Sequence, residues 1–164
     1  MCPLVAAKQS TSSAWTRPHT DLDETEKELE YLIASPNNGV LAFVMQLSSS
    51  GATSPQHDVG KVIGRMGTRS SEQAVIGYVL NRSYWGKGYM NEALTVLLRY
   101  LWEYGVQRIM AQVDPRNERS MNVLKKLRFR ETGRKEKVRE VDEVEHGIVY
   151  FALEKEKGDN QSVE

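Results

Sequence analysis

The order strand, glycine loop, amphipathic helix, strand, written between Ala74 and Val113, constrains this chain more than any other feature. Ala74 to Leu80 is an apolar run too short for a helix and suited to a buried strand. Asn81 to Lys87 is a polar turn that ends in a loop carrying Gly86 and Gly88. Met90, Leu94, Leu97, Leu98 and Leu101 then recur at helical spacing, Gly105 supplies a C-terminal stop, and Val106 to Val113 returns as a strand. A strand–helix–strand unit of this length closes as a right-handed parallel pair. The loop bares backbone N–H groups at a helix N-terminus, where the dipole also favours negative charge. Glycine at 86 and 88 leaves no Cβ to hold an anion away from the backbone, so a phosphate or pyrophosphate is the expected guest.

Composition bounds the rest. The chain has 164 residues, enough for one domain with a single sizeable core. Its 22 Lys and Arg balance 22 Asp and Glu, so no bulk charge points to nucleic acid or an anionic membrane. No apolar run approaches the roughly 20 residues of a membrane span, and Met1 to Ala7 lacks the basic flank of a signal peptide. The one cysteine, Cys2, allows neither a disulfide framework nor a cysteine metal cage, and no metal is expected. These features describe a soluble, cytoplasmic protein.

The elements around the central unit are strands. Asp21-Leu22-Asp23-Glu24 resembles a capping box, with a helical stripe at Leu22, Leu29, Leu32 and Ile33 that stops at Ser35–Gly39. Val40 to Leu47 and Val59 to Thr68 read as strands separated by a Ser, Gly, Thr and Pro connector. Asp114–Asn117 is a turn, and Met121, Val123, Leu124 and Leu127 mark a second helix. Strands at about 131–141 and 144–153 close the chain. The expected fold class is mixed α/β, a largely antiparallel sheet with a central parallel strand–helix–strand unit. A dinucleotide-binding unit competes for the glycine loop, but it needs a small residue three places after the second glycine, where this chain has Asn91.

The sequence resembles the GNAT superfamily of acyl-CoA N-acyltransferases, and within it the branch of the ribosomal-protein N-terminal acetyltransferases. The resemblance rests on Ile76–Leu80, on Tyr84–Leu94, on Asp114–Ser120 and on Leu124–Phe129, in that order. It runs over about residues 15–153 and implies one GNAT-like domain there, with flexible termini at 1–14 and 154–164. It implies acetyl-CoA as co-substrate, an amine as acceptor and no metal. Trp85, Gly86, Lys87, Gly88, Tyr89 and Met90 would wrap the pyrophosphate, the backbone of Val79 and Leu80 would pair with the pantetheine arm, and Asn117 would hydrogen-bond it near the thioester. Members of this family usually begin with a further strand and helix. Here about fourteen polar residues stand in their place. The resemblance therefore implies a shortened start, with a sheet edge or helix face left uncovered that would invite a homodimer.

Acetyl transfer needs an oxyanion donor, a route for protonating the departing thiolate and a neutral amine. The backbone N–H of Leu80 or its neighbour is the expected oxyanion donor. The tyrosine many members place beside the sulfur is Leu124 here, and Ser120 is the branch's substitute. Ser120 can equally be a first-turn residue beside an Asn117 N-cap. Both positions where members carry a carboxylate base hold other residues, Val75 and Gln112. Asp114 is a candidate base, with an ordinary Asp-Pro turn as its alternative. Glu92, His57 and His146 are weaker candidates.

The missing base bears on the acceptor. An α-amine with a pKa near 8 is about one-tenth neutral at pH 7, whereas lysine is neutral less than about once in a thousand. The expected acceptor is therefore an α-amine, on a peptide or a small metabolite. An acyl-CoA-binding protein that has lost turnover is the alternative. Arg128 stands where a glycine is expected between Leu127 and Phe129, so that turn must avoid positive φ or carry strain.

Overall fold

The computed structural model describes residues 41–48, 60–69, 74–141 and 144–155, together with Asp21, Asp23, Glu24, Glu26, Lys27 and Glu30. Among the described residues six strands form one sheet: β1 (Leu41–Gln46), β2 (Val62–Arg69), β3 (Ala74–Leu80), β4 (Arg108–Val113), β5 (Arg130–Val141) and β6 (Val144–Glu154). Two helices, α1 (Tyr89–Glu103) and α2 (Glu118–Lys126), follow β3 and β4. The spatial order is β1-β2-β3-β4-β6-β5. Among these six strands β3 and β4 alone run parallel, and the other neighbouring pairs are antiparallel. This is the mixed α/β sheet the sequence predicts. β2 begins at Val62, three residues later than the expected Val59.

The expected early helix is partly in view. The Glu24 N–H donates to Asp21 Oδ1 at 2.9 Å, and Asp23, Glu24, Glu26, Lys27 and Glu30 are helical. Its apolar stripe at Leu22, Leu29, Leu32 and Ile33 lies outside the described residues, as does most of the 48–58 connector with His57.

Register and contacts place both helices on one face. Phe43, Met66 and Tyr78 are cross-strand partners and so share a face. The Phe43 ring meets Tyr100 of α1 edge-on at 5.7 Å, and the Tyr78 hydroxyl bonds Ser120 of α2. Between sheet and helices lies the core, whose fully buried side chains include Leu94, Leu97, Leu101, Ile109, Leu124, Val149 and Phe151.

Both helices end the same way. In α1 the Val106 N–H donates to Leu101 O and the Gly105 N–H to Trp102 O, with Gly105 at φ 84°. In α2 the Phe129 N–H donates to Leu124 O and the Arg128 N–H to Lys125 O, with Arg128 at φ 65°. These are Schellman closures, which need a left-handed residue at their centre. Of the two outcomes open at Arg128, the chain takes positive φ, and Phe129 is drawn into the core.

One detail of the sheet makes room for a ligand. β3 and β4 pair only at Ala74↔Ile109, Val75↔Met110 and Ile76↔Ala111. β3 continues to Leu80 beside β2, but beyond Ile76 it has no β4 partner. The two parallel strands splay apart.

Candidate active site

A cleft of about 640 Å³ opens at that splay. Its walls are the end of β3 (Tyr78, Val79, Leu80), the loop and first turn of α1 (Tyr84 to Gly86, Gly88 to Asn91), and Asn117, Arg119, Ser120, Asn122, Val123 and Lys126 of the α2 segment. None of these is a carboxylate or a histidine.

Strand alternation decides which backbone groups face the cleft. The Asn81 N–H donates to Ile63 O at 2.8 Å, toward β2. In an antiparallel pair every second residue bonds to the same neighbour, so Val79 also turns its N–H and C=O toward β2. Tyr78 and Leu80 turn theirs to the open side. The Leu80 carbonyl accepts the Trp85 indole Nε1–H at 2.8 Å, which leaves the Leu80 N–H for a guest. Val79 also lines the cleft, but the open backbone edge belongs to Tyr78 and Leu80.

The loop from Trp85 to Met90 is held open by glycine conformations. Gly86 has φ 76° and Gly88 φ 88°. A Cβ built on either meets nothing within 4 Å, so it is the left-handed backbone, not crowding, that calls for glycine. Gly88 is the N-cap of α1 and makes no side-chain cap bond, so no capping side chain covers this helix end. Trp85 is fixed at its nitrogen by Leu80 and on its ring by the Arg119 guanidinium 4.8 Å away. Lys87 is exposed, with Nζ 5.3 Å from the Tyr84 ring centre. Among the described residues, the Asn91 Oδ1 is buried without a hydrogen-bond partner, at the wall of the same cleft.

On the opposite wall, Asn117 caps α2, its Oδ1 accepting the Ser120 N–H at 3.0 Å. The Ser120 hydroxyl lies 2.7 Å from the Tyr78 hydroxyl. Burial pushes the Tyr78 phenol up to about 12, against the opposing pull of the Ser120 hydrogen bond. Sequence reasoning used Tyr78 only as part of an apolar motif. Its signal was a polar-tipped side chain at an inward position of a strand that outruns its parallel partner. Leu124, where family members place a tyrosine, is fully buried in the core.

The carboxylate candidates stand elsewhere. Asp114 is buried, and Arg116 occupies both its oxygens: the Arg116 N–H and Nε–H donate to Oδ1 at 2.8 and 2.9 Å, and Nη2–H to Oδ2 at 2.7 Å. Asp114 is not part of the cleft wall, and its carboxylate is held within the Asp-Pro turn. Glu92 is exposed in the first turn of α1 and also absent from the wall. Val75 and Gln112 are half-buried on β3 and β4, on the sheet face opposite Tyr78, and His146 lies on β6. Among the described residues no group of three or more His, Cys, Asp or Glu could hold a metal ion. No helix there is long and apolar enough to cross a membrane.

Comparison with known proteins agrees with this geometry. A family model described as an acetyltransferase (GNAT) domain matches residues 3–130. An uncharacterized N-acetyltransferase p20 of Bacillus licheniformis is 37% identical over 81 residues, 46% of this chain and 46% of that protein. The [ribosomal protein uS5]-alanine N-acetyltransferase of Escherichia coli (strain K12) is 41% identical over 59 residues, 35% of this chain and 30% of that protein. These alignments cover less than half the length of either relative. The crystal structure of an N-acetyltransferase from Staphylococcus aureus Mu50 superposes with a TM-score of 0.70 over 91% of this chain and 86% of that one, at 18% identity, a likeness of fold. With the family model spanning most of its length and the glycine loop set at a splayed parallel strand pair, this chain belongs to the GNAT acetyltransferase family.

Proposed function

We propose that the protein transfers the acetyl group of acetyl-CoA to a primary amine, most specifically an α-amine on a peptide N-terminus or a small metabolite. The observation that carries this reading is the cleft formed where β3 outruns β4, with the N-terminus of α1 and Leu80 both on its wall. The pyrophosphate sits on the loop from Trp85 to Met90, where first-turn N–H groups and the helix dipole favour an anion. The pantetheine arm runs along the open edge offered by Tyr78 and Leu80, as an added strand would. Asn117 keeps its side-chain N–H groups for that arm, since its Oδ1 is taken by the cap.

In the reaction the amine nitrogen attacks the thioester carbonyl and charge grows on the carbonyl oxygen. The Leu80 N–H, fixed by the strand, donates to that oxygen, a term that costs no reorganisation when the charge develops. The carbon–sulfur bond then breaks with its electron pair on sulfur, beside the Ser120 hydroxyl. With no carboxylate or histidine in the described cleft wall, deprotonation of the amine falls to water. That suits an acceptor already about one-tenth neutral at pH 7 and penalises lysine by roughly a hundredfold.

The test is acetyl-CoA-dependent CoA release on a panel of N-terminal peptides, small amines and peptides whose only free amine is a lysine side chain. Turnover is expected on the first two and at least about tenfold slower on the third. Faster acetylation of lysine would overturn the acceptor assignment. Gly88→Val should abolish acetyl-CoA binding, and unchanged affinity would contradict the loop assignment.

A second reading, an acyl-CoA-binding protein without turnover, draws on the Asp114 carboxylate being wholly engaged by Arg116. Tight acetyl-CoA binding with no CoA release on any amine would favour it.

A further inference from the structure

Tyr78 and Ser120 are 42 residues apart in sequence and face each other across the cleft. Two acceptors lie within reach of the single phenolic proton: Ser120 Oγ at 2.7 Å and the Ser120 carbonyl oxygen at 3.2 Å. The carbonyl belongs to α2, where the N–H four residues on is its ordinary partner. The hydroxyl oxygen is both closer and less committed. A serine hydroxyl that accepts at its oxygen must send its own proton elsewhere, because the one hydrogen cannot point back along the bond it accepts.

Building on the acetyl-CoA assignment, we infer that Tyr78 is a positioning residue: its O–H donates to Ser120 Oγ and thereby aims the Ser120 O–H into the cleft, at the sulfur of the departing thiolate. The pair works as a fixed donor and not as a net source of protons. With the phenol pushed up to about 12 and a model thiol near 8.5, passing the Tyr78 proton to sulfur would run uphill by more than three powers of ten. The balance closes without it. The amine nitrogen loses one proton as the carbon–nitrogen bond forms, and sulfur gains one as the carbon–sulfur bond breaks. The high value also keeps Tyr78 protonated, hence a donor, throughout neutral and mildly alkaline pH.

The readout is the acidity of CoA bound to the protein, followed by the ultraviolet absorbance of its thiolate. Four forms are compared: the unmodified protein, Tyr78→Phe, Ser120→Ala and the double variant. Phenylalanine keeps the ring and removes only the oxygen. A donor aimed at sulfur lowers the thiol pKa, so Tyr78→Phe should raise it by about half to one unit, a threefold to tenfold change in acidity. Ser120→Ala should raise it by at least as much, and the double variant should match Ser120→Ala alone. Turnover on the best amine should fall about fivefold to tenfold in Tyr78→Phe, with KM for acetyl-CoA unchanged. CoA that binds with the same thiol pKa in the unmodified protein and in Tyr78→Phe overturns this inference alone, as do independent, additive effects of the two substitutions. Failure of the unmodified protein to bind CoA at all overturns the functional reading beneath it.

Discussion

The indole nitrogen of Trp85 donates to the carbonyl oxygen of Leu80 at 2.8 Å, tying the glycine loop to the last residue of β3. One bond thereby sets the distance between the proposed pyrophosphate end of the cleft and the proposed oxyanion donor. It also occupies the Leu80 carbonyl, whose oxygen would otherwise repel a thioester oxygen on the open side. Trp85→Phe keeps most of the ring area and loses the donor. A net hydrogen bond of about 1 kcal/mol corresponds to roughly fivefold in affinity. Acetyl-CoA binding measured by calorimetry should weaken by about that factor. An unchanged dissociation constant would mean that the loop holds its shape without the tether.

Both carboxylate oxygens of Asp114 accept hydrogen bonds from Arg116. Asp114→Ala leaves the Arg116 backbone N–H and guanidinium without their acceptor. It should destabilise the protein by about 1–3 kcal/mol in urea unfolding. The pH dependence of acetyl transfer, per folded molecule, should keep its shape. A profile that lost its acidic limb in this variant would identify Asp114 as the base.

Arg128 closes α2 at φ 65°, as Gly105 closes α1 at φ 84°. A side chain in the left-handed region costs about 1 kcal/mol where glycine costs none. Arg128→Gly should therefore be more stable than Arg128→Ala by roughly 1 kcal/mol, seen as a melting point higher by about 2–4 °C. Equal melting points would show that this Schellman turn carries no strain.

Tyr78 links stability to alkaline pH. Its phenol is raised from 10.0 to about 12, mainly by burial, so the folded state holds the proton more tightly than the unfolded chain does. The contribution is fully present below about pH 10 and is lost as pH climbs through about 12, up to about 2–3 kcal/mol in all. Urea midpoints followed from about pH 9 to about pH 12 should fall more steeply in the unmodified protein than in Tyr78→Phe. Parallel curves would mean that the phenol ionises as it does in water.

What the sequence by itself determined is local. Met90, Leu94, Leu97, Leu98 and Leu101 repeat every three to four residues, and only a helix lying on a core satisfies that period. Ala74 to Leu80 is apolar and short, and its strand bounds match those read from the residues. Gly86, Gly88 and Gly105 sit where the chain takes positive φ, a preference glycine carries wherever it stands. Asn117 followed by Ser120 wrote the cap of α2 in advance.

What only the tertiary structure decided depends on contacts between residues that no local pattern joins. Tyr78 and Ser120 meet because β3 and α2 flank one cleft, and nothing in either segment names the other. Which backbone groups of β3 stay free follows from where its pairing with β4 stops and from the phase set by Asn81 on β2. Even Asp114, two residues from Arg116, changed meaning once burial showed its carboxylate enclosed by the turn and absent from the cleft wall. Periodicity fixes an element because each residue repeats the same bargain with the core. The phase between elements is settled by the whole sheet, and the site is made of that phase.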